Sequence, residues 1–408
     1  MSTTEAHTEA PVFDADFVHD LHARYAEIRD TTPVQRLVLP DGAPVWVITR
    51  YADVRAALTD PRLSKSADRI REVIAENRPP EAKPRKFEDA LFAHMLNMDP
   101  PDHTRLRKLV VKAFTNRRVE ALRPRVEQIT NELLDGMAGG SEVDLLDALA
   151  FPLPIQVISE LLGVDEERRD DFRAWTNTLL DASDPDAASQ AASETAEYLI
   201  ELIERKRQQP ADDLLTALID SSEDQDRLSD RELISMVFLL LVAGHETTVN
   251  LIGNAVLHLL RDPEQWAALR ADPDLVTSAV EEVLRFDGPV MHGTFRFTAE
   301  PVEVGGVEIP ANQVVWVGLA SANRDPEQFP EPDLFDVTRN AHGHLAFGHG
   351  IHFCLGAQLA RLEGQVALRA LIERFPNLTA AIALDDAQWR FSTLIHGLQS
   401  LPVRPAGD

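Results

Sequence analysis

Cys354 is the chain's one cysteine, and its neighbours are of kinds that serve a reactive sulfur. Phe347, Gly348, His349, Gly350, Ile351, His352 and Phe353 precede it, and Leu355 and Gly356 follow. The glycines allow tight backbone geometry around the sulfur. Leu359, Leu362 and Val366 then recur at helical spacing, which predicts a helix over 357–371. Cys354 stands just ahead of that helix, where free N–H groups and the helix dipole favour a thiolate. Three uses of the sulfur are open at this point. It is a buried structural thiol; or it binds zinc with His342, His344, His349 or His352; or it ligates haem iron, where a thiolate pushes electron density toward O–O cleavage.

A second group of reactive residue types interrupts an apolar helix. Residues 236–243 are apolar nearly all round, and Gly244, His245, Glu246, Thr247 and Thr248 follow directly. Ser229 and Glu232 form a capping box that starts this helix, and Asp262 with Pro263 closes it. At 1.5 Å per residue it runs about 50 Å, enough to cross the core. An acid and two hydroxyls buried there need partners, because unpaired polar burial is costly. One partner is local, since a helical threonine can donate to its own i−4 carbonyl.

Positioning these groups falls to a mostly helical chain. Strand signals are few: 36–40 and 45–48 about the turn Asp41–Gly42, 302–309 folded at Gly305–Gly306, and 314–317. They do not alternate regularly with helices, so a doubly wound sheet is excluded. The expected fold is mainly α, an α+β architecture with small sheets at one side. The 408 residues read as a single domain, 1–408, with a disordered tail over 1–16 and loop-like connections at 78–86 and 181–195. The 67 acidic residues outnumber 40 basic ones, and the net charge of −27 argues against nucleic acid or an anionic membrane as partner. A lone cysteine excludes an intrachain disulfide, a four-cysteine zinc site and a four-thiolate iron–sulfur cluster. The longest apolar stretch falls well short of the ~20 residues a bilayer needs, and no leader pattern opens the chain, so a soluble cytoplasmic protein is expected.

Taken together, Phe347, Gly350, His352, Cys354 and Gly356 resemble the haem-binding signature of the cytochromes P-450, and the likeness runs from about Phe17 to Pro402. It implies that Cys354 is the axial ligand of haem b, with Phe347, Gly348 and Gly356 beside the cofactor. Residues 243–247 are similar to the family's oxygen-activating segment. There Gly244 would leave room for dioxygen, Thr247 would hydrogen-bond it, and Glu246 would relay protons from water. Glu282 and Arg285, an i,i+3 pair, resemble the buried pair that supports the cysteine loop. Many relatives add a basic residue in a later segment, but this chain has Leu334 there, so either another group such as Arg339 completes the network or the pair stands without it. His103 and Arg107, four apart on one helix face, would grip one haem propionate, and Arg296 with His352 the other.

The resemblance also implies a substrate pocket drawn from Leu239, Val242, Ala243, Val290, Met291 and Ile395. These are apolar, which suits a hydrophobic small molecule. Residues 251–254 and 351–363 look most like actinobacterial members that decorate macrolides and other polyketides or oxidise steroids and secosteroids. The implied activity is a monooxygenase that hydroxylates or epoxidises its substrate with one atom of O2. Electrons would come from NAD(P)H through a ferredoxin reductase and a ferredoxin, as no flavin or iron–sulfur module is attached. Arg105, Arg107, Lys108, Lys112, Arg117 and Arg118 concentrate positive charge in an acidic chain, which would steer an acidic ferredoxin to a monomeric enzyme. Two alternatives stand beside this reading. One is a peroxide-driven haem-thiolate peroxygenase, against which the Glu246–Thr247 pair argues; the other is a non-catalytic haem- or zinc-binding sensor.

Overall fold

The computed structural model describes residues 10–80, 89–111, 114–180, 184–220 and 227–405. Helices dominate, and the longest, Asp230–Arg261, carries 32 residues. The Ser229 side chain accepts from the Glu232 N–H while the Glu232 carboxylate accepts from the Ser229 N–H, so the capping box closes as expected. At the other end Asp262 caps the next helix, Pro263–Ala271, through the N–H groups of Glu264 and Gln265. The long helix would be apolar enough to cross a bilayer, yet 72% of its most apolar window is buried within the protein. Met236, Val237, Leu251, Ile252, Val256 and Leu259 on it are all 2% exposed or less. It packs on Pro152–Leu162 and on Ala357–Arg374, the helix that follows Cys354.

The strands gather to one side. Five form a sheet in the order Val34–Val38, Pro44–Ile48, Val314–Val317, Arg296–Thr298 and Leu63–Ser64. Among these five strands, Pro44–Ile48 and Val314–Val317 pair in parallel and the other neighbours pair antiparallel. Val302–Val304 and Val307–Ile309 make the hairpin expected about Gly305–Gly306, with Val304 opposite Val307. A third sheet joins Val143–Asp144, Pro402–Arg404 and Thr379–Ala380. Several of these strands are two or three residues long, too short to show alternation. The first expected strand, 36–40, starts earlier and stops sooner: Val34 pairs with Ile48, and Val38 with Pro44 at the turn.

Two other expectations shift. The tail over 1–16 is packed from Phe13 onward, which is fully buried against Trp316 and Phe17, and Asp14 caps the helix Ala15–His19 through the Phe17 N–H. The connection over 181–195 is mostly helix. Asp184 accepts from the N–H groups of Asp186 and Ala187, Pro185 takes the first turn, and the helix runs Pro185–Gln208. Residues 181–183, and 81–86 of the proline-rich connection, lie outside the described residues.

Candidate functional site

A cavity of about 590 Å³ opens between the central helix, the cysteine loop and the sheet. Leu239, Val242, Ala243, Gly244, Glu246 and Thr247 reach it from the helix, and Phe347, Gly348, His352, Cys354 and Gly356 from the loop. Cys354 is exposed to this cavity but otherwise enclosed by protein. Its N–H donates to the Phe347 carbonyl at 2.9 Å, which folds the loop back on itself. Gly348 and Gly350 take φ of 72° and 75°, the left-handed region that a β-carbon disfavours, whereas Gly356 has an ordinary φ of −84°. Burial pushes the Cys354 thiol up, opposed by the N–H groups of Gly356 and Ala357 and by the charges of Arg107 and Arg361. Those N–H groups open the helix Ala357–Arg374, as the sequence led us to expect.

At the cavity's polar end, cations outnumber anions. Lys65, His103, Arg107, Arg296 and His352 all line it. The His103 and His352 rings lie 4.3 Å apart, so His103 meets His352 directly. Arg107 Nη2 donates to the Phe353 carbonyl at 2.7 Å, beside the cysteine. Burial, then Lys65, His103, Arg296 and Arg107, push His352 down to about 2. Arg296 is pushed down to about 10 by burial, with Asp99 opposing. Asp99 itself is engaged by the Ser64 hydroxyl and the Lys65 N–H. Both ring nitrogens of His103 are buried without a hydrogen-bond partner among the described residues. Such a set of donors calls for external anions, and the two carboxylates of a haem supply that chemistry. With a thiol on the same cavity, the residues present fit haem b. Lys65 was missed in the sequence; a lone lysine beside a two-residue strand gives no pattern to find.

Zinc is not supported by the geometry. His342 is exposed, and His344 Nε2 meets Glu281 Oε2 at 3.1 Å. Among the described residues, the one cluster with metal-ligand spacing is His22, Asp287 and His396, without Cys354.

On the central helix, Thr247 Oγ1 donates to the Ala243 carbonyl at 2.9 Å, the local bond available to any helical threonine. His245 Nδ1 meets the Leu241 carbonyl at 2.7 Å, and Asn250 Nδ2 donates to the Glu246 carbonyl at 2.7 Å. The Glu246 carboxylate, 5% exposed, pairs with Arg390. Gly244 lines the cavity, and a β-carbon there would also stand 3.0 Å from Ile158 Cγ1, so the glycine admits the neighbouring helix. Thr248 also lines the cavity, and Glu363, buried near it, is pushed up to about 8 by burial. Glu363 shares the apolar stripe of Leu359 and Val366, which is a signal the sequence did offer.

Val290 and Ile395 line the cavity and pair with each other as an isolated bridge. Met291 does not line it. It is fully buried on the other side, in the core with Phe13, Tyr25 and Trp316, because successive residues of an extended chain face opposite ways.

Glu282 and Arg285 are both fully buried and joined by two bonds of 2.7 Å. Leu334 turns its side chain to solvent and gives its carbonyl to Arg285 Nη2 at 3.2 Å. Arg339 completes the network, with Nε 3.2 Å from Glu282 Oε1. Glu282→Ala strands Arg285 in the core and is expected to cost about 3–5 kcal/mol. Arg339→Leu leaves the Arg285 bonds and the Asp336 N–H on Glu282 and is expected to cost about 1 kcal/mol. Denaturant unfolding of both variants checks this, and equal losses would contradict the geometry.

The fold and this site define a haem enzyme of the oxygen-activating kind, and comparison with known proteins fixes the family. The family model "Cytochrome P450" matches residues 140–381. The chain is 61% identical to cytochrome P450 107B1 of Saccharopolyspora erythraea, over 96% of this chain and 97% of that one. It is 51% identical to the vitamin D(3) 25-hydroxylase of Pseudonocardia autotrophica, over 98% of each. The structure of the tirandamycin C-bound P450 monooxygenase TamI superposes with a TM-score of 0.91 at 50% identity, covering 97% of this chain and 99% of that one. The chain belongs to the cytochrome P450 family, whose cofactor is haem b.

Proposed function

We propose that this monooxygenase oxidises a neutral, hydrophobic molecule of the macrolide or polyketide kind, or a secosteroid, using Cys354 as haem ligand. The observation that carries the reading is one cavity holding Cys354, Glu246 and Thr247 among apolar walls. Haem b bound there supplies the chemistry: dioxygen is split with two electrons and two protons, one atom entering the substrate and the other leaving as water.

The chain's own residues set the rest. His103, Arg107, Arg296, His352 and Lys65 would hold the propionates, and Phe347, Gly348 and Gly356 would border the ring. Glu246 holds and passes protons at its carboxylate oxygens. Thr247 lines the cavity with its hydroxyl proton given to the Ala243 carbonyl, which leaves its oxygen lone pairs to accept a hydrogen bond from a group in the cavity. Leu239, Val242, Ala243, Val290 and Ile395 exclude water and take the apolar body of the substrate. The charged residues on the cavity wall are Lys65, Arg107, Arg296 and Glu246, and Glu246 is already paired, which favours an uncharged substrate. The names of relatives support this reading, a vitamin D(3) 25-hydroxylase and a 6-deoxyerythronolide B hydroxylase among them. A panel of macrolides, linear polyketides and secosteroids is expected to shift the Soret band. Silence from all three, with shifts from small cationic ligands, would overturn the substrate class.

Electrons would arrive from NAD(P)H through a ferredoxin reductase and a ferredoxin, in the cytoplasm, to a monomer. The basic segment supports this in part. Arg105 pairs with Glu232, Arg107 faces the cavity, Arg123 meets Glu120 and Arg125 meets Glu160. That leaves Lys108, Arg117 and Arg118 exposed for docking, and Lys112 lies outside the described residues. Reversing Arg117 and Arg118 to Glu is expected to slow reduction by an acidic ferredoxin about tenfold at low salt, with the gap closing as salt rises. Equal rates at low salt would remove this face from the docking surface.

A further inference from the structure

Arg390 lies far from the cysteine loop in sequence and on no helix or strand. Its guanidinium nevertheless meets two elements of the cavity at once. Nη2 pairs with Glu246 Oε1 on the central helix, and Nη1 donates to Asn177 Oδ1 at 3.0 Å on the helix Arg169–Leu180. Leu179, two residues beyond Asn177, lines the cavity, as do Ala188 and Ala192 of the following helix. The helix Arg169–Leu180 and the helix Pro185–Gln208 pack on each other and thus form one wall of the cavity. The Arg390 side chain is 24% exposed and that of Glu246 5%, so the pair spans from solvent to the cavity.

We propose that Arg390 is a positioning residue for proton delivery, holding the Glu246 carboxylate in place and tying it through Asn177 to the wall helix that a ligand touches. The proposal rests on Glu246 as the proton-passing group. The guanidinium in this pair fixes the direction of the carboxylate. Losing the arginine frees the carboxylate to turn and unpins the wall helix in one step. His245, 3.8 Å from the same carboxylate, is held neutral by burial and does not replace it. The surrounding contacts keep the backbone in place, since Asn250 bonds the Glu246 carbonyl independently of Arg390.

Arg390→Gln, Arg390→Lys and Asn177→Ala test this in the haem-loaded protein. Hydrogen exchange across 169–180, read without substrate, is expected to quicken in Arg390→Gln and Asn177→Ala and to stay near wild type in Arg390→Lys. Turnover of Arg390→Gln is expected to fall about tenfold, with a larger solvent deuterium isotope effect and a ligand Kd within about twofold of wild type. Arg390→Lys keeps the charge and is expected to recover most of the rate, and it carries the test if the glutamine variant does not fold. Faster exchange with an unchanged isotope effect would make Arg390 a structural tie alone and overturn the proposal. Wild-type exchange and rate in Arg390→Gln would overturn it as well. Glu246→Gln separates the two levels: if it turns over normally, the proton-passing reading fails; if it slows while Arg390→Gln does not, only the present proposal fails.

Discussion

Cys354→His is expected to retain haem in part and to lose the red-shifted Soret band of the ferrous–CO complex. The loop keeps its shape in this variant, because the Cys354 N–H bond to the Phe347 carbonyl is made by the backbone. The basic groups that would hold the propionates are also untouched. What changes is the donor: a thiolate pushes electron density toward the O–O bond, and a neutral imidazole does not. Turnover is expected to fall on the order of a thousandfold, equivalent to about 4 kcal/mol in the barrier. The spectrum and the rate must move together. A red-shifted band that survives in Cys354→His would falsify the assignment, since the chain has no other cysteine to supply it.

The cysteine loop was legible because its chemistry is local. Sulfur, glycines with positive φ and a helix start lie within a dozen residues, and backbone rules connect them. The capping box at Ser229 and the hairpin at Gly305–Gly306 were legible for the same reason. That Leu334 leaves a gap beside Glu282 was legible, but that Arg339 fills it was one of two open alternatives until folding brought the two side chains together. Groups that meet across long sequence separations were not legible. Lys65 joins Arg296 and His352 from just past a strand of two residues, and Arg390 reaches Glu246 across 144 positions. Neither has a period or a neighbour that marks it. Met291 shows a different limit. Val290 of this segment lines the cavity and Met291 does not, because the two sides of an extended chain are told apart only once the sheet is built. The basic segment shows a third: clustered charge is visible in sequence, but the partners that consume Arg105, Arg123 and Arg125 come from folding.

Thr247→Ala and Glu246→Gln are expected to fail in different ways, and that difference tests the oxygen-handling reading. The Thr247 hydroxyl is bonded to the Ala243 carbonyl, a contact that serves the helix whether or not it serves catalysis. If that were its whole role, Thr247→Ala would leave the helix intact and the reaction unchanged. In the present reading its lone pairs also fix a water in the cavity. Removing them leaves a space for loosely held water, so protons reach the wrong oxygen and hydrogen peroxide escapes. NAD(P)H consumption is then expected to continue while product per electron pair falls. Thr247→Ser restores the hydroxyl and is expected to restore coupling. Glu246→Gln instead removes a group that can carry a proton while leaving its shape. Consumption and product should fall together, with the ratio between them less altered. Each lost interaction, if worth about 3 kcal/mol in the transition state, gives roughly a hundredfold effect on the quantity it controls. Peroxide yield and product per NAD(P)H, measured with any accepted substrate, distinguish the cases. Wild-type coupling in Thr247→Ala would assign the hydroxyl to its own helix alone and leave proton delivery to Glu246.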